Sequence, residues 1–480
     1  MHNAGVGRGD FLSEPSRIMP QTPAFRPYEP DQPFLLPPDL RDWLPDDDLV
    51  FFVQDVVASL DLGAICKAYD ASRGGAPPFH PRLMTALLLY AYCVGVASSR
   101  RIERATWESV PFRVLTADQH PDHATIAEFR RRHLVALSGL FTQILALCRE
   151  AGLVKLGHVA LDGTKVRANA SKHKAMSYER MEKAEAELQA EVDRLLAEAE
   201  RVDAEEDAAF GKGRRGDELP EGLRRRASRL EKIREAKAAL EAEARERAAE
   251  ERKEYEAKQA KPKERGGRGR PPAPPPEEPV VEPKAQRNFT DPDSRIMQDG
   301  ATKSFAQCYN AQAAVDAKAQ VIVAARVTQA SNDKEQLEPL IGEIAANTEG
   351  EKPRRASADA GYFSEANVEF LEKEKIDGHI ATGRMKHGER AEPAPRGRIP
   401  AGLSPKQRMA RKLRTLKGRA TYRMRKAVVE PVFGQIKAAR GFRQFLLRGL
   451  EKVRGEWALI CATHNLLKLH KSGRWKGAKT

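Results

Sequence analysis

The chain has 480 residues, too long for one compact core, and its 82 Lys and Arg exceed its 68 Asp and Glu for a net charge of +14. That balance points to a polyanionic partner, nucleic acid first. Five scattered cysteines exclude a CxxC pair or a disulfide framework and predict a reducing cytoplasm; the longest apolar run, Leu83–Ala97, is too short to span a bilayer, so no membrane is expected.

Residues 1–37 read as a flexible arm, with no apolar region of a signal peptide. From 38 to 156 the apolar spacing is helical. Pro81 stands at a helix start, Asp122 at a cap and Gly152 at a helix end. Residues 97–133 predict a helix-turn-helix-like unit that makes this an N-terminal, all-helical DNA-binding domain. "GHVALDGTKVRANAS" reads as a strand, a tight Asp-Gly turn at Asp162–Gly163, and a second strand. Residues 173–260 then form an inserted antiparallel coiled-coil hairpin. Met181, Leu188, Leu195 and Val202 recur every seven residues, and Leu223, Leu230, Ile233 and Leu240 resume the seam. The acids from Asp203 to Asp207 are expected to meet the arginines from Arg224 to Arg229 across the turn. A Pro/Gly/Arg-rich linker covers 261–287.

Beyond it, Cys308–Val315 and Gln320–Thr328 read as a hairpin turning at Asp316–Lys318. A helix follows with Asn332 as N-cap and Glu335 three residues on, then a strand, a helix capped by Ser364, and a last strand in "DGHIATG". With 157–172, residues 288–470 predict an α/β domain, a mixed sheet flanked by helices, before a basic tail at 471–480. His464 reads as a core histidine.

Three acids stand out. Asp162 and Asp359 end apolar strands, and Glu430 is the sole carboxylate among sixteen Lys and Arg between Pro393 and Leu450. Taken singly, they read as a turn residue, a capping group and a counter-ion. Taken together, three acids from separate elements suit hard divalent cations, and a two-metal site serves in-line phosphoryl displacement. Pro431 predicts either a helix start or, preferred here, a kink in a helix running from Tyr422.

The stretches "ALDGTKVRANASK", "SADAGYFSEANV" and "VVEPVFGQIK", in that order, resemble the Asp-Asp-Glu (DDE) transposases of bacterial insertion sequences. The nearest are the insertion-sequence eleven-eighty-two group, related to the insertion-sequence four/five transposases. "FHPRLMTALLLYAYCVGVASSRRIE", "PDHATIAEFRRRH", "GATKSFAQCYNAQAAVD", "VTQASNDKEQLEPLI" and "THNLLKL" extend the resemblance over most of the chain. It implies a ribonuclease-H-like catalytic domain with Asp162, Asp359 and Glu430 as catalytic, metal-binding triad. The expected cofactor is two Mg²⁺ ions, with Mn²⁺ able to substitute. Relatives of this fold carry a signature of Tyr, two residues, Arg, three residues, Glu, six residues, Lys. Lys437 keeps the last interval; Arg423 and Lys426 stand at the first two positions, with the tyrosine displaced to Tyr422. Arg423, Glu430 and Lys437, seven apart, share a helix face.

The reading is therefore a transposase that binds the ends of its element as double-stranded DNA, then cleaves and joins strands, as a homodimer or higher assembly in the synaptic complex. Lys437, Arg423, Lys426, Lys165, Arg100, Arg101, Arg130, Arg131 and Arg132 are the candidate DNA-binding cations. A nuclease of the same fold that cuts without joining, and a catalytically inactive DNA-binding coiled-coil protein, are the alternatives.

Overall fold

Caps written into the sequence start the N-terminal helices. Asp48 accepts a hydrogen bond from Val50 N at 2.9 Å and opens α1 (Leu49–Ser59), which a short α2 (Gly63–Cys66) follows. His80 and Pro81 open α3 (Pro81–Cys93), buried from Met84 to Cys93 as its apolar run predicts. Three short helices come next, α4 (Ser99–Glu108), α5 (Val110–Thr116) and α6 (His123–Arg132), and α4 packs on both others. Asp122 caps α6 by accepting from Thr125 N at 2.8 Å. The long α7 (Leu134–Glu150) ends where Gly152 takes φ +67° and lets Leu153 N reach back to the Cys148 carbonyl. The computed structural model describes residues 39–69, 77–210, 221–260, 280–298, 303–383, 393–400 and 402–475. The expected N-terminal arm, most of the linker and the end of the basic tail lie outside these residues.

The first correction falls on β1 (Val159–Arg167), one unbroken strand through Asp162 and Gly163 rather than two strands and a turn. Every residue from Val159 to Arg167 pairs with the strand β5 described below, so Asp-Gly here serves the ladder and not a hairpin. Chain direction then leads through β2 (Ala175–Ser177) into α8 (Tyr178–Phe210) and α9 (Glu221–Ala260). The two helices run antiparallel. Glu185 meets Arg234 at 3.0 Å, and Glu191 meets Arg226 at 2.8 Å. Met181, Ile233, Ala236 and Leu240 form one buried cluster between them, and Val192 with Leu230 a second. The acid side chains expected to face Arg224–Arg229 lie outside the described residues. The segment read as linker contributes its last residues to β3 (Gln286–Asn288), which pairs with β2 and closes the base of the insertion.

β4 (Arg295–Gln298), β5 (Phe305–Asp316) and β6 (Ile322–Thr328) complete the antiparallel part of the main sheet. Its order is β4-β5-β1-β7-β8, with β6 also on β5. The strands β7 (Arg355–Ala358) and β8 (Asp377–Ile380) run parallel to β1 and to each other. Helix α10 (Leu337–Asn347) precedes β7, and α11 (Glu365–Lys373), capped by Ser364 as expected, joins β7 to β8. Before α10 lies a 3₁₀ turn, Lys334–Gln336; Asn332 accepts from Lys334 N at 3.3 Å, and no capping box with Glu335 forms. The helices α12 (Pro405–Arg414), α13 (Leu416–Gly434) and α14 (Leu450–Ser472) close the chain.

Two findings position the site. Helix α14 packs on α3, α7 and β6, so the helical region and the sheet share one apolar core instead of forming separate bodies. Within it, His464 is buried against the Gln320 carbonyl at 3.0 Å, and burial pushes its pKa down to about 3. Helix α13 passes through Pro431 and continues as a π-helical turn, Gln435–Ala439. Proline has no N–H for the carbonyl four residues back. That carbonyl, Ala427 O, instead accepts from Gln320 Nε2 at 3.0 Å.

Candidate active site

Parallel pairing of β1 with β7 places Leu161 beside Ala358, and the next residues along the chain are Asp162, within β1, and Asp359, just past the end of β7. Two acids 197 positions apart in sequence thus come together where the β1–β7 pairing ends. Asp162 Oδ1 accepts from Gly163 N at 2.9 Å. Asp359 Oδ1 accepts from Gly361 N at 2.8 Å and caps a 3₁₀ turn, Ala360–Tyr362. Arg425, from α13, reaches down to Asp162 Oδ2 at 2.9 Å; the side chains are 8% and 19% exposed. Burial pushes the Asp162 pKa up to about 6, and the nearby Asp359 charge adds to this while Arg425 opposes it. Tyr362 is fully buried; burial first, then the charges of Asp333, Asp162 and Asp359, hold its phenol well above the usual value.

The other predicted residues are distributed unevenly. Glu430 is exposed on α13, while Arg425, Val428, Val429 and Val432 form the buried face of that helix. Arg423 and Lys426 are exposed on the same helix. Lys437 turns inward in the π-helical turn, donating to Thr164 Oγ1 at 2.7 Å and Lys165 O at 2.6 Å, so it does not share an open face with Arg423 and Glu430. Lys165 is half-buried and donates to Ser331 O at 2.8 Å; burial lowers its pKa, against the pull of Asp333 and Asp359. Arg100 and Arg101 are exposed on α4. Arg131 pairs with Glu128, and Arg132 lies over the Tyr69 ring. Arg130 corrects the expectation of a DNA-facing triplet. It is buried, donating to Tyr92 Oη at 3.1 Å, Ala97 O at 2.9 Å and Ser99 Oγ at 3.2 Å, because α6 turns its last arginines in different directions.

Sequence reasoning missed Arg425. It follows Tyr422 after two residues, the first interval of the signature, and its guanidinium lies 5.8 Å from the Tyr422 ring centroid. Counting back from Glu430 hid it, since four residues rather than three separate Arg425 from that acid. Asp333, read as part of a helix start, was missed as well.

Among the described residues no three His, Cys, Asp or Glu side chains gather closely enough to hold a metal ion. Asp162 and Asp359 bring two carboxylates to adjacent strands, one of them desolvated, and carboxylate oxygens are the donor type that hard divalent cations take.

An α/β protein with two acids on adjacent parallel strands, at the point where their pairing ends, is the class this geometry defines. Residues 282–466 match the family model of the transposase DDE domain, and residues 38–132 match that of a transposase domain (DUF772). Together these matches support a DDE transposase of an insertion sequence, and the mixed sheet with its helices fits the ribonuclease-H-like fold of such enzymes. No curated protein and no solved structure matches the chain. No helix among the described residues is long and apolar enough to cross a membrane.

Proposed function

We propose that the chain binds the ends of its insertion sequence and catalyses DNA cleavage followed by strand transfer. The observation that carries this reading is the side-by-side placement of Asp162 and Asp359 one residue beyond the Leu161–Ala358 pair. These two carboxylates, with Glu430 as third acid, are the proposed ligands of two Mg²⁺ ions, which Mn²⁺ would replace. Such ions supply Lewis-acid charge to in-line phosphoryl displacement. Arg425 favours the ionised form of Asp162 and orients it by pairing with its Oδ2. Exposed Arg423, Lys426, Arg100 and Arg101 offer cations to the phosphate backbone. Water is the nucleophile for cleavage and a DNA 3′ hydroxyl the nucleophile for joining.

On the resemblance of its motifs the chain is assigned to the insertion-sequence eleven-eighty-two group, with the cytoplasm as its proposed site of action. The paired helices α8 and α9 are proposed as a coiled-coil element of a dimer or synaptic complex. A strand-transfer assay with pre-cut element ends tests the proposal. Joined product is expected with the wild-type chain and is lost with Asp359→Asn. Cutting without joining would favour a nuclease; neither cutting nor DNA binding would end the reading.

A further inference from the structure

Each site aspartate is closely followed by a glycine, and one carboxylate occupies the space that both glycines leave. A Cβ on Gly163 would overlap Gln312 Nε2 and lie 2.8 Å from Asp333 Oδ1. A Cβ on Gly361 would lie 3.0 Å from Asp359 Oδ1 and 3.1 Å from Asp333 Oδ2. Neither glycine has a positive φ, so backbone conformation requires neither; Gly163 leaves room for Gln312 and Asp333, and Gly361 lets Asp333 and Asp359 approach closely.

Asp333 Oδ1 accepts from Asn310 Nδ2 at 2.7 Å and from Gln312 Nε2 at 2.6 Å. Gln312 Oε1 in turn accepts from the Tyr362 hydroxyl, and Tyr362 closes the turn that Asp359 caps. Gln312 is also the ladder partner of Gly163, next to Asp162. The hydrogen bonds run from Asp333 through Gln312 to Tyr362, whose N–H donates to the Asp359 carbonyl, while Gln312 stands opposite Gly163, the neighbour of Asp162.

We propose that Asp333 is a positioning residue: seated between Gly163 and Gly361, it fixes Gln312 and Tyr362 and through them the spacing of Asp162 and Asp359. The inference rests on reading that pair as the reaction centre. A single oxygen of Asp333 takes both amides, so an asparagine can keep the arrangement, whereas an alanine leaves the Gln312 amide without an acceptor and the Asn310 amide with the Ala330 carbonyl alone.

The test compares full-length wild type, Asp333→Asn, Asp333→Ala and Tyr362→Phe. Asp333→Ala is expected to lower kcat for DNA-end cleavage, with KM for DNA unchanged, and to weaken Mn²⁺ binding measured by calorimetry, each by about tenfold or more, the usual effect of losing a group that orients metal ligands. Asp333→Asn recovers most of both. Wild-type values in Asp333→Ala would overturn the inference. So would an Asp333→Asn protein as impaired as the alanine variant, since charge would then be the role. If Asp333→Ala does not fold, Tyr362→Phe carries the test: a loss of kcat is expected, and unchanged kcat and Mn²⁺ affinity would overturn it. If the wild type cuts no DNA, the reaction-centre reading fails by itself, and crystal structures decide the positioning. Gln312 and Tyr362 should shift in Asp333→Ala and stay in place in Asp333→Asn; no shift in either overturns the inference.

Discussion

Arg425 Nη1 donates to Asp162 Oδ2 at 2.9 Å, joining the middle of helix α13 to the central strand of the sheet. Both side chains are largely buried, so the pair has little competition from water. Arg425→Met strands a desolvated carboxylate, and a loss of about 3 kcal/mol in unfolding free energy is expected. Denaturant titration measures it. The same change removes the cation that holds the Asp162 pKa down, so that carboxyl should titrate higher than in the wild type.

Asp162 also makes a pH signature. Its carboxyl titrates at about 6 in the native state against an ordinary value of 3.8. Between those values the native state binds more protons than the unfolded chain, so this group's contribution to stability falls as pH rises from about 4 to about 6. Activity runs the opposite way, because the ionised form is the proposed ligand. Cleavage should rise with pH through about 6 and its midpoint should fall as Mg²⁺ is raised; a rate flat across that window would remove Asp162 from the chemistry.

Neutral substitutions of the two aspartates separate chemistry from folding. Asp162→Asn and Asp359→Asn should each reduce cleavage by about two orders of magnitude or more, the scale of losing a group that stabilises developing charge. Calorimetric melting should show both variants folded. DNA binding, measured by anisotropy, should persist.

The cations divide into two groups. Arg100→Ala and Arg101→Ala, or Arg423→Ala and Lys426→Ala, should weaken DNA binding and lower the salt slope by about 0.9 for each phosphate no longer neutralised. Arg130→Ala should instead lower Tm, since its guanidinium bonds Tyr92, Ala97 and Ser99 inside the protein. Fluorescence binding across a salt series, run beside thermal melts, distinguishes them.

Gln320 and Pro431 form a coupled pair. Gln320→Ala removes the donor to the Ala427 carbonyl, with an expected cost of about 1–2 kcal/mol. In a Pro431→Ala background the helix supplies its own N–H to that carbonyl, so the same change should cost less. A double-mutant cycle on urea unfolding reads the difference.

Periodicity and caps made much of the architecture legible. The buried helix from Pro81, the caps at Asp122 and Ser364 and the paired helices after Tyr178 all stand where local spacing puts them. Asp162 and Asp359 were legible as acids after apolar runs. What sequence could not show was long-range crowding. Asp-Gly at 162–163 reads locally as a turn, yet the glycine is there because Gln312 and Asp333 occupy the place of its side chain. Three consecutive arginines read as one surface, yet a helix turns about 100° per residue and buries Arg130 alone. Pro431 reads as a helix start or a kink, and the donor that compensates its missing N–H is invisible locally because it sits 111 positions earlier, on Gln320.

The shared core has a mechanical consequence. Gly95, at φ +78°, lies with its α-carbon against the Arg440 carbonyl, and Tyr92 stacks on Phe442 with ring centroids 5.4 Å apart. Cys148 Sγ contacts the Asn465 carbonyl across the same seam. The helix that carries both Arg100 and Arg101, anchored by Ile102, is therefore built into the same core as the strand that carries Asp162. On the proposed function, the protein works as a caliper: one jaw holds the duplex, the other cuts, and the gap between them is set by packing and not by a hinge. The distance from the recognised sequence to the scissile phosphate would then be a fixed number of base pairs.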